Sequence, residues 1–237
     1  MIDTNTTKLI ITGGVGVGKT TAISNICNIL NDNGVKYKIV PEFIDGDEDG
    51  NTMLNKFINS EISAYEFQLY ILQYFDKYLS NIVIDKNEIL IFERLPDDSV
   101  SCFVNIDVKK GLITHDEFKR LFDICVNLDK KYNLPSYFTD FTNNDLLFCK
   151  SIDKISTAND IYRQLIKSIE NNKNLLVGLY NSNEECLNRI RIRNRQAEVD
   201  TYNNDTVNVF NKHYERIYER LKQKQILQFK DLQSLIN

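Results

Sequence analysis

Thr12-Gly-Gly-Val-Gly-Val-Gly-Lys-Thr-Thr21 is the stretch that decides how this chain is read. Gly13 to Thr20 fit G-x-x-x-x-G-K-[ST], the P-loop pattern. Before them, Lys8-Leu9-Ile10-Ile11-Thr12 reads as a short buried strand. After them, Thr20 to Asn33 carries apolar residues at Ala22, Ile23, Ile26, Ile29 and Leu30, a helical period that stops at Gly34. Small residues let backbone N–H groups close around a polyphosphate, and the following helix aims the positive end of its dipole at it. Gly13, Gly14, Val15, Gly16, Val17, Gly18, Lys19, Thr20 and Thr21 are therefore the expected contacts of a nucleoside triphosphate. Lys19 is expected to reach its outer phosphates, and the Thr20 hydroxyl to ligate Mg²⁺.

Working outward, four more strand-like runs follow: Tyr37–Val40, Ile89–Phe92, Leu175–Leu179 and Ile226–Phe229. Helical patterns separate them, the rhythm of a parallel sheet covered on both faces. This predicts an α/β P-loop fold of three layers with a five-stranded parallel sheet. Ser63-x-x-Glu66 is a capping box opening a helix with Phe67, Tyr70, Ile71, Tyr74 and Tyr78 on one side. Residues 106–173 are the least regular part and read as an insertion. They hold a helix at His115–Tyr132, a Leu134-Pro135 break and Asp145–Lys150, which could add a strand.

At 237 residues the chain suits one α/β domain over 1–237. The formal charge of −4 draws it neither to nucleic acid nor to an anionic membrane. Five scattered cysteines without a C-x-x-C pair argue against a disulfide framework or zinc site and for a reducing compartment. No signal peptide and no apolar run of about 18 residues is present, so a soluble, cytoplasmic protein is expected. Two histidines, His115 and His213, leave little material for a histidine-based triad. Asp45-Gly-Asp-Glu-Asp-Gly50 imitates an EF-hand start, but the twelfth position is Lys56 rather than a bidentate Glu.

Ligands of open α/β sheets sit at the carboxyl ends of strands, so the residues there come next. Glu42 follows the second strand, and Glu93 with Arg94 follows the third. A carboxylate facing the P-loop suits a general base, and an arginine beside it suits charge spreading over a transferred phosphoryl group. Further on, Arg189 and Arg193, like Arg191 and Arg195, lie four apart on a helix. Such crowding of guanidinium calls for an anion, and a lid over ATP phosphates near 189–204 explains it better than a nucleic-acid patch without aromatic neighbours.

The order of these motifs resembles the deoxynucleoside kinases. It runs P-loop, Pro41-Glu42, Phe67-Gln68 on a helix, Glu93-Arg94 after a strand, Cys102-Phe103-Val104-Asn105, and Arg193-x-Arg195 before Glu198. The resemblance implies an ATP- and Mg²⁺-dependent transfer to the 5′-hydroxyl of a deoxynucleoside, and a homodimer. It implies Glu42 as the base, Glu93 near Mg²⁺ and Arg94 between the 5′ position and the phosphates. Gln68 would bond the nucleobase edge, Phe103 would stack on it, Arg193 and Arg195 would be the lid arginines that with Arg189 of the same ridge serve ATP, and Glu198 would hold the 3′-hydroxyl. Departures fall on the nucleoside side. Phe57 stands where the family has a tyrosine for the 3′-hydroxyl, Leu95 and Pro96 follow Glu93-Arg94, and Phe75 and Ser99 replace an arginine–aspartate pair. With that pair gone, Gln68 alone suits a pyrimidine, thymidine first. The rival readings are a thymidylate-like nucleoside-monophosphate kinase, with Arg94 or Lys56 for the acceptor phosphate, and an inactive P-loop interaction module.

Overall fold

Five parallel strands make the sheet: β1 (Lys8–Thr12), β2 (Tyr37–Val40), β3 (Ile89–Glu93), β4 (Asn144–Lys150) and β5 (Asn174–Tyr180). Their order is β2-β3-β1-β5-β4. The structure, a computed structural model, describes residues 2, 6–138, 144–151, 154–223, 227–228 and 232. β1 lies at the centre, paired with β3 (Lys8 opposite Leu90 to Ile11 opposite Glu93) and with β5. Every residue of β1 and β3 is buried, which is why their sequences lack the alternation of a half-exposed strand.

Parallel strands require crossovers, and helices supply them. α1 (Lys19–Asp32) leads to β2. α2 (Phe43–Gly46), α3 (Gly50–Ile58) and α4 (Ala64–Asn81) lead to β3. α5 (Pro96–Asp98), a π-helical segment over Ser99–Val104, α6 (Asn105–Lys109) and α7 (His115–Tyr132) lie between β3 and β4. α8 (Lys154–Glu170) joins β4 to β5, and α9 (Asn183–Arg193), α10 (Gln196–Thr201) and α11 (Asn204–Lys222) follow. α1 and α8 pack on each other, and α11 packs against α9, the π-helical segment and β4. The Tyr218 hydroxyl sits 3.3 Å from the Thr12 carbonyl and 3.2 Å from that of Leu179, tying the ends of β1 and β5 to α11.

The Ser63–Glu66 capping box of α4 is reciprocal: Ser63 N–H donates to Glu66 at 2.8 Å and Glu66 N–H to Ser63 Oγ at 3.2 Å. Thr114 and Glu117 repeat it at α7, whose bounds coincide with those expected from sequence. Such a cap contributes about 1 kcal/mol.

Two expectations need correction. Leu227 and Gln228 are not in a strand, and Ile226 and Phe229 lie outside the described residues. The fifth strand is β4, which runs along β5 from Asn144 opposite Asn174 to Lys150 opposite Tyr180. Residues 106–173, expected to be irregular, contribute α7, this edge strand and α8. α8 turns Ala158, Ile161 and Leu165 inward, all fully buried, so the segment completes the sheet and covers it. Among the described residues no helix is long and apolar enough to cross a membrane.

Candidate functional site

Strand register brings the site together. Val40 sits opposite Phe92 and Ile11 opposite Glu93, so Glu42, Gly13 and Arg94 leave the sheet at one edge. The P-loop follows β1 there, and its glycines have steric work to do. Gly18 takes φ +101°, and a side-chain carbon would run into the Arg189 guanidinium. At Gly16 (φ +77°) it would collide with the Cys186 carbonyl of α9.

Lys19 is buried at this edge. Its Nζ lies 3.5 Å from Glu42 Oε1, 3.9 Å from Glu93 Oε1 and 3.4 Å from the Gly14 carbonyl. Burial, seconded by the Arg94 charge, lowers its pKa, while the two carboxylates hold it up. Arg94 ion-pairs with Glu42 and donates to the Gly13 carbonyl at 3.0 Å, with its guanidinium 5.1 Å from the centre of the Phe103 ring. Burial pushes Glu42 up, but Arg94 and Lys19 outweigh it and keep the carboxyl below the usual range, so it is ionised at neutral pH. Glu93 is raised by burial and by the Glu42 charge. The Thr20 hydroxyl donates to Glu93 at 2.9 Å. A hydroxyl and a carboxylate side by side are the hard oxygen donors that Mg²⁺ takes, and a cation there would keep Glu93 ionised.

From this edge opens a cavity of about 740 Å³. All eight residues expected at the nucleoside line it: Glu42, Phe57, Gln68, Phe75, Arg94, Ser99, Phe103 and Glu198. α10 packs against α3, which brings Glu198 to the side of Phe57. The arginines behave less uniformly. Arg193 lines the cavity and ion-pairs with Glu198. Arg195 donates to Asp45 of α2 at 2.7 Å. Arg189 does not reach into the cavity: it donates to the Val17 carbonyl at 2.7 Å and to the Ser151 carbonyl at 2.7 Å. The reason is that α9 runs along the outside of the P-loop, so a residue on its inner face meets main-chain carbonyls first.

Several residues at the site escaped the sequence reading. Asp98 accepts from the Leu95 N–H at 2.7 Å, from Tyr137 Oη at 3.2 Å and from the Thr12 hydroxyl, which pins the turn after Arg94. Pro96 opens α5 directly after it, which fits Pro at the first helical position. Phe210 of α11 backs Phe103 (centroids 5.2 Å apart) and Tyr202 (5.7 Å, edge to face). Asp107 lines the cavity too. Its signal was available: Ser99, Phe103 and Asp107 recur every fourth residue, the spacing of one helical face.

The sequence model of the family described as deoxynucleoside kinase matches residues 9–139, more than half of the chain. This chain belongs to the deoxynucleoside kinase family. It is therefore a phosphotransferase with an alcohol acceptor. No curated protein sequence matches it. Among solved structures, deoxyadenosine kinase from M. mycoides with bound dATP superposes with a TM-score of 0.57 at 18% identity, covering 97% of this chain and 96% of that one. At that identity the likeness speaks for the fold, including the parts of the sheet beyond residue 139.

Proposed function

We propose that this kinase transfers the γ-phosphate of ATP to the 5′-hydroxyl of a deoxynucleoside, with pyrimidine deoxynucleosides read best. The observation that carries the reading is the meeting of Lys19, Glu42 and Arg94 at the mouth of a cavity walled by Gln68 and Glu198. The P-loop amides and Lys19 hold the phosphates, and Arg193, swung from Glu198, adds positive charge as the donor enters. Thr20 and Glu93 would hold Mg²⁺, which when bound neutralises phosphate charge. Glu42, ionised and aimed across the cavity mouth, accepts the proton of the 5′-hydroxyl. Arg94 orients that carboxylate and faces the charge that develops on the phosphoryl group. Phe103 covers the base, and Glu198 takes the sugar 3′-hydroxyl. Arg189 and Arg195 act on the protein rather than on ATP, one bracing the P-loop and the other fastening the lid to α2.

The monophosphate-kinase reading needs a further basic group on the acceptor side. Arg94 is engaged by Glu42 and Gly13, and Lys56 is exposed and outside the cavity wall. We take the working unit to be one kinase domain over 1–237 with its lid near 189–204, as a homodimer in the cytoplasm. The resemblance supports the dimer, and five free cysteines suit a reducing compartment. Sedimentation of the purified chain tests the dimer.

The deciding assay is transfer of labelled γ-phosphate to the four deoxynucleosides and to their 5′-monophosphates. Glu42→Gln is expected to cut kcat by roughly 10²–10⁴ with ATP affinity nearly unchanged. A variant keeping more than about half of the activity removes Glu42 from the mechanism.

A further inference from the structure

Ser99, Gln68 and Asp107 share one wall of the cavity. The Ser99 hydroxyl donates to Gln68 Oε1 at 2.6 Å, which turns the amide oxygen toward the π-helical segment. The amide nitrogen is left on the other side, and Asp107 of α6 lines the same cavity wall. Asp107 is only 8% exposed, and what it exposes faces the same cavity as Gln68 and Ser99. Gln68 itself is 3% exposed, on the inner face of α4.

An amide whose oxygen accepts from the Ser99 hydroxyl is held against flipping, so its nitrogen is the end left to donate. The amide nitrogen shares this wall with the Asp107 carboxyl, which when ionised only accepts. Burial pushes Asp107 up to about 6, with the Lys110 charge and the nearby Gln68 amide opposing, so it is ionised at neutral pH. The wall thus offers a donor beside an acceptor. Its complement is a bare ring nitrogen beside an exocyclic amine, the edge that cytosine and adenine present. Thymine, uracil and guanine present a ring N–H beside a carbonyl, and a carbonyl oxygen against a carboxylate leaves both without a proton between them.

We propose that Asp107 reads the base, selecting with Gln68 those deoxynucleosides that carry an exocyclic amine next to an unprotonated ring nitrogen. This rests on the kinase reading above and changes one detail of the sequence expectation. Thymidine came first when Gln68 alone was considered; with the carboxylate beside it, deoxycytidine comes first among the pyrimidines.

The test is kcat/KM for deoxycytidine, deoxyuridine, thymidine and deoxyadenosine in the wild type, Asp107→Asn and Ser99→Ala. Deoxycytidine and deoxyuridine differ only at the edge in question, and the wild type is expected to favour deoxycytidine at least about tenfold. Asp107→Asn, whose amide can donate to a carbonyl, should lower that ratio by about tenfold or more. Ser99→Ala, which frees the Gln68 amide to turn over, should lower it as well. The deoxyadenosine value separates an amino-pyrimidine pocket from one that takes either amino base. A wild type that prefers deoxyuridine or thymidine overturns the assignment, and so does an Asp107→Asn that lowers all four values alike. Should Asp107→Asn fail to fold, the wild-type ratio and Ser99→Ala decide. Turnover of deoxynucleosides without this discrimination sinks the assignment and leaves the kinase reading standing. No turnover of any deoxynucleoside sinks both.

Discussion

Arg94 is held in a backbone conformation that side chains avoid. Its φ is +67°, and a residue other than glycine there costs on the order of 1–2 kcal/mol. Its N–H donates to the Ile11 carbonyl at 3.1 Å, while the guanidinium is fixed by Glu42, Gly13 and the Phe103 ring. The turn aims the side chain back over the P-loop, so the strain serves to place charge. Phe57 is the opposite case, a residue relaxed in its surroundings and missing a polar atom. Its ring stacks on Phe67 at 4.6 Å with an interplanar angle of 2° and borders the cavity near Glu198. A charged hydrogen bond contributes about 1.5–3 kcal/mol and a phenol about 0.5–1.5, so in the proposed reading Glu198 alone would retain most of the sugar recognition. Phe57→Tyr should raise kcat/KM for the natural deoxynucleoside several-fold and leave a 3′-deoxy analogue nearly unchanged. Equal responses in this two-by-two comparison would show that position 57 does not face the 3′-hydroxyl.

At the scale of elements, the turn from β3 into the π-helical segment rests on a buried acid pair. The Ser136 hydroxyl lies 2.9 Å from Asp97 Oδ2 and 2.7 Å from Asp129 Oδ2. A hydroxyl has one proton to donate, so the second contact requires a proton on one of the carboxyls. Burial pushes Asp97 up to about 6 and, with the Asp97 charge beside it, Asp129 well above the ordinary range. A carboxyl raised on folding favours the native state at low pH, and that contribution is lost as pH climbs through the folded value. Asp129→Asn keeps a donor toward Asp97 and removes the like charge. Its stability relative to the wild type should therefore improve between pH 5 and 7.5, as read from urea unfolding at both pH values. A relative loss of stability over that interval would show that the pair does not share a proton. Asp129→Ala, which leaves Asp97 without that donor, should be destabilised by about 1–3 kcal/mol.

Over the whole molecule, the donor and acceptor halves of the site come from distant parts of the chain and meet through the sheet. The P-loop hangs from the central strand, Glu42 and Arg94 from strands on one side, and α9 and α10, the proposed lid, follow β5 on the other. Binding of ATP with Mg²⁺ to the folded state alone raises stability by about 2.7 kcal/mol at a hundred times Kd. For a chain of this size that corresponds to roughly 5–10 °C in Tm. Lys19→Ala should lose that shift and should lose transfer to every acceptor alike, because the role proposed for Lys19 is on phosphate charge. A shift retained in full, or a loss confined to one nucleoside, contradicts the assignment of Lys19 to the donor.

Local chemistry is what the sequence determined by itself. The Gly13–Thr20 loop, the Ser63–Glu66 cap and α7 with its ends depend on contacts within a few residues, and composition and spacing report such contacts directly. The same holds for Glu42, Glu93 and Arg94, because a residue just past a buried parallel strand has one place to go. Partner choice was decided only in three dimensions. Ile226–Phe229 and Asn144–Lys150 are both short apolar runs, and nothing within either says which lies against β5; long-range backbone pairing chose the second. Arg189 and Arg193 carry the same side chain one helical turn apart, yet one meets the outside of the P-loop and the other the cavity. Spacing puts Asp107 on one helical face with Ser99 and Phe103, but only the packed structure shows that face buried on the cavity. A local pattern can put residues on one face, but whether that face is buried, and beside which distant partner, is a property of packing.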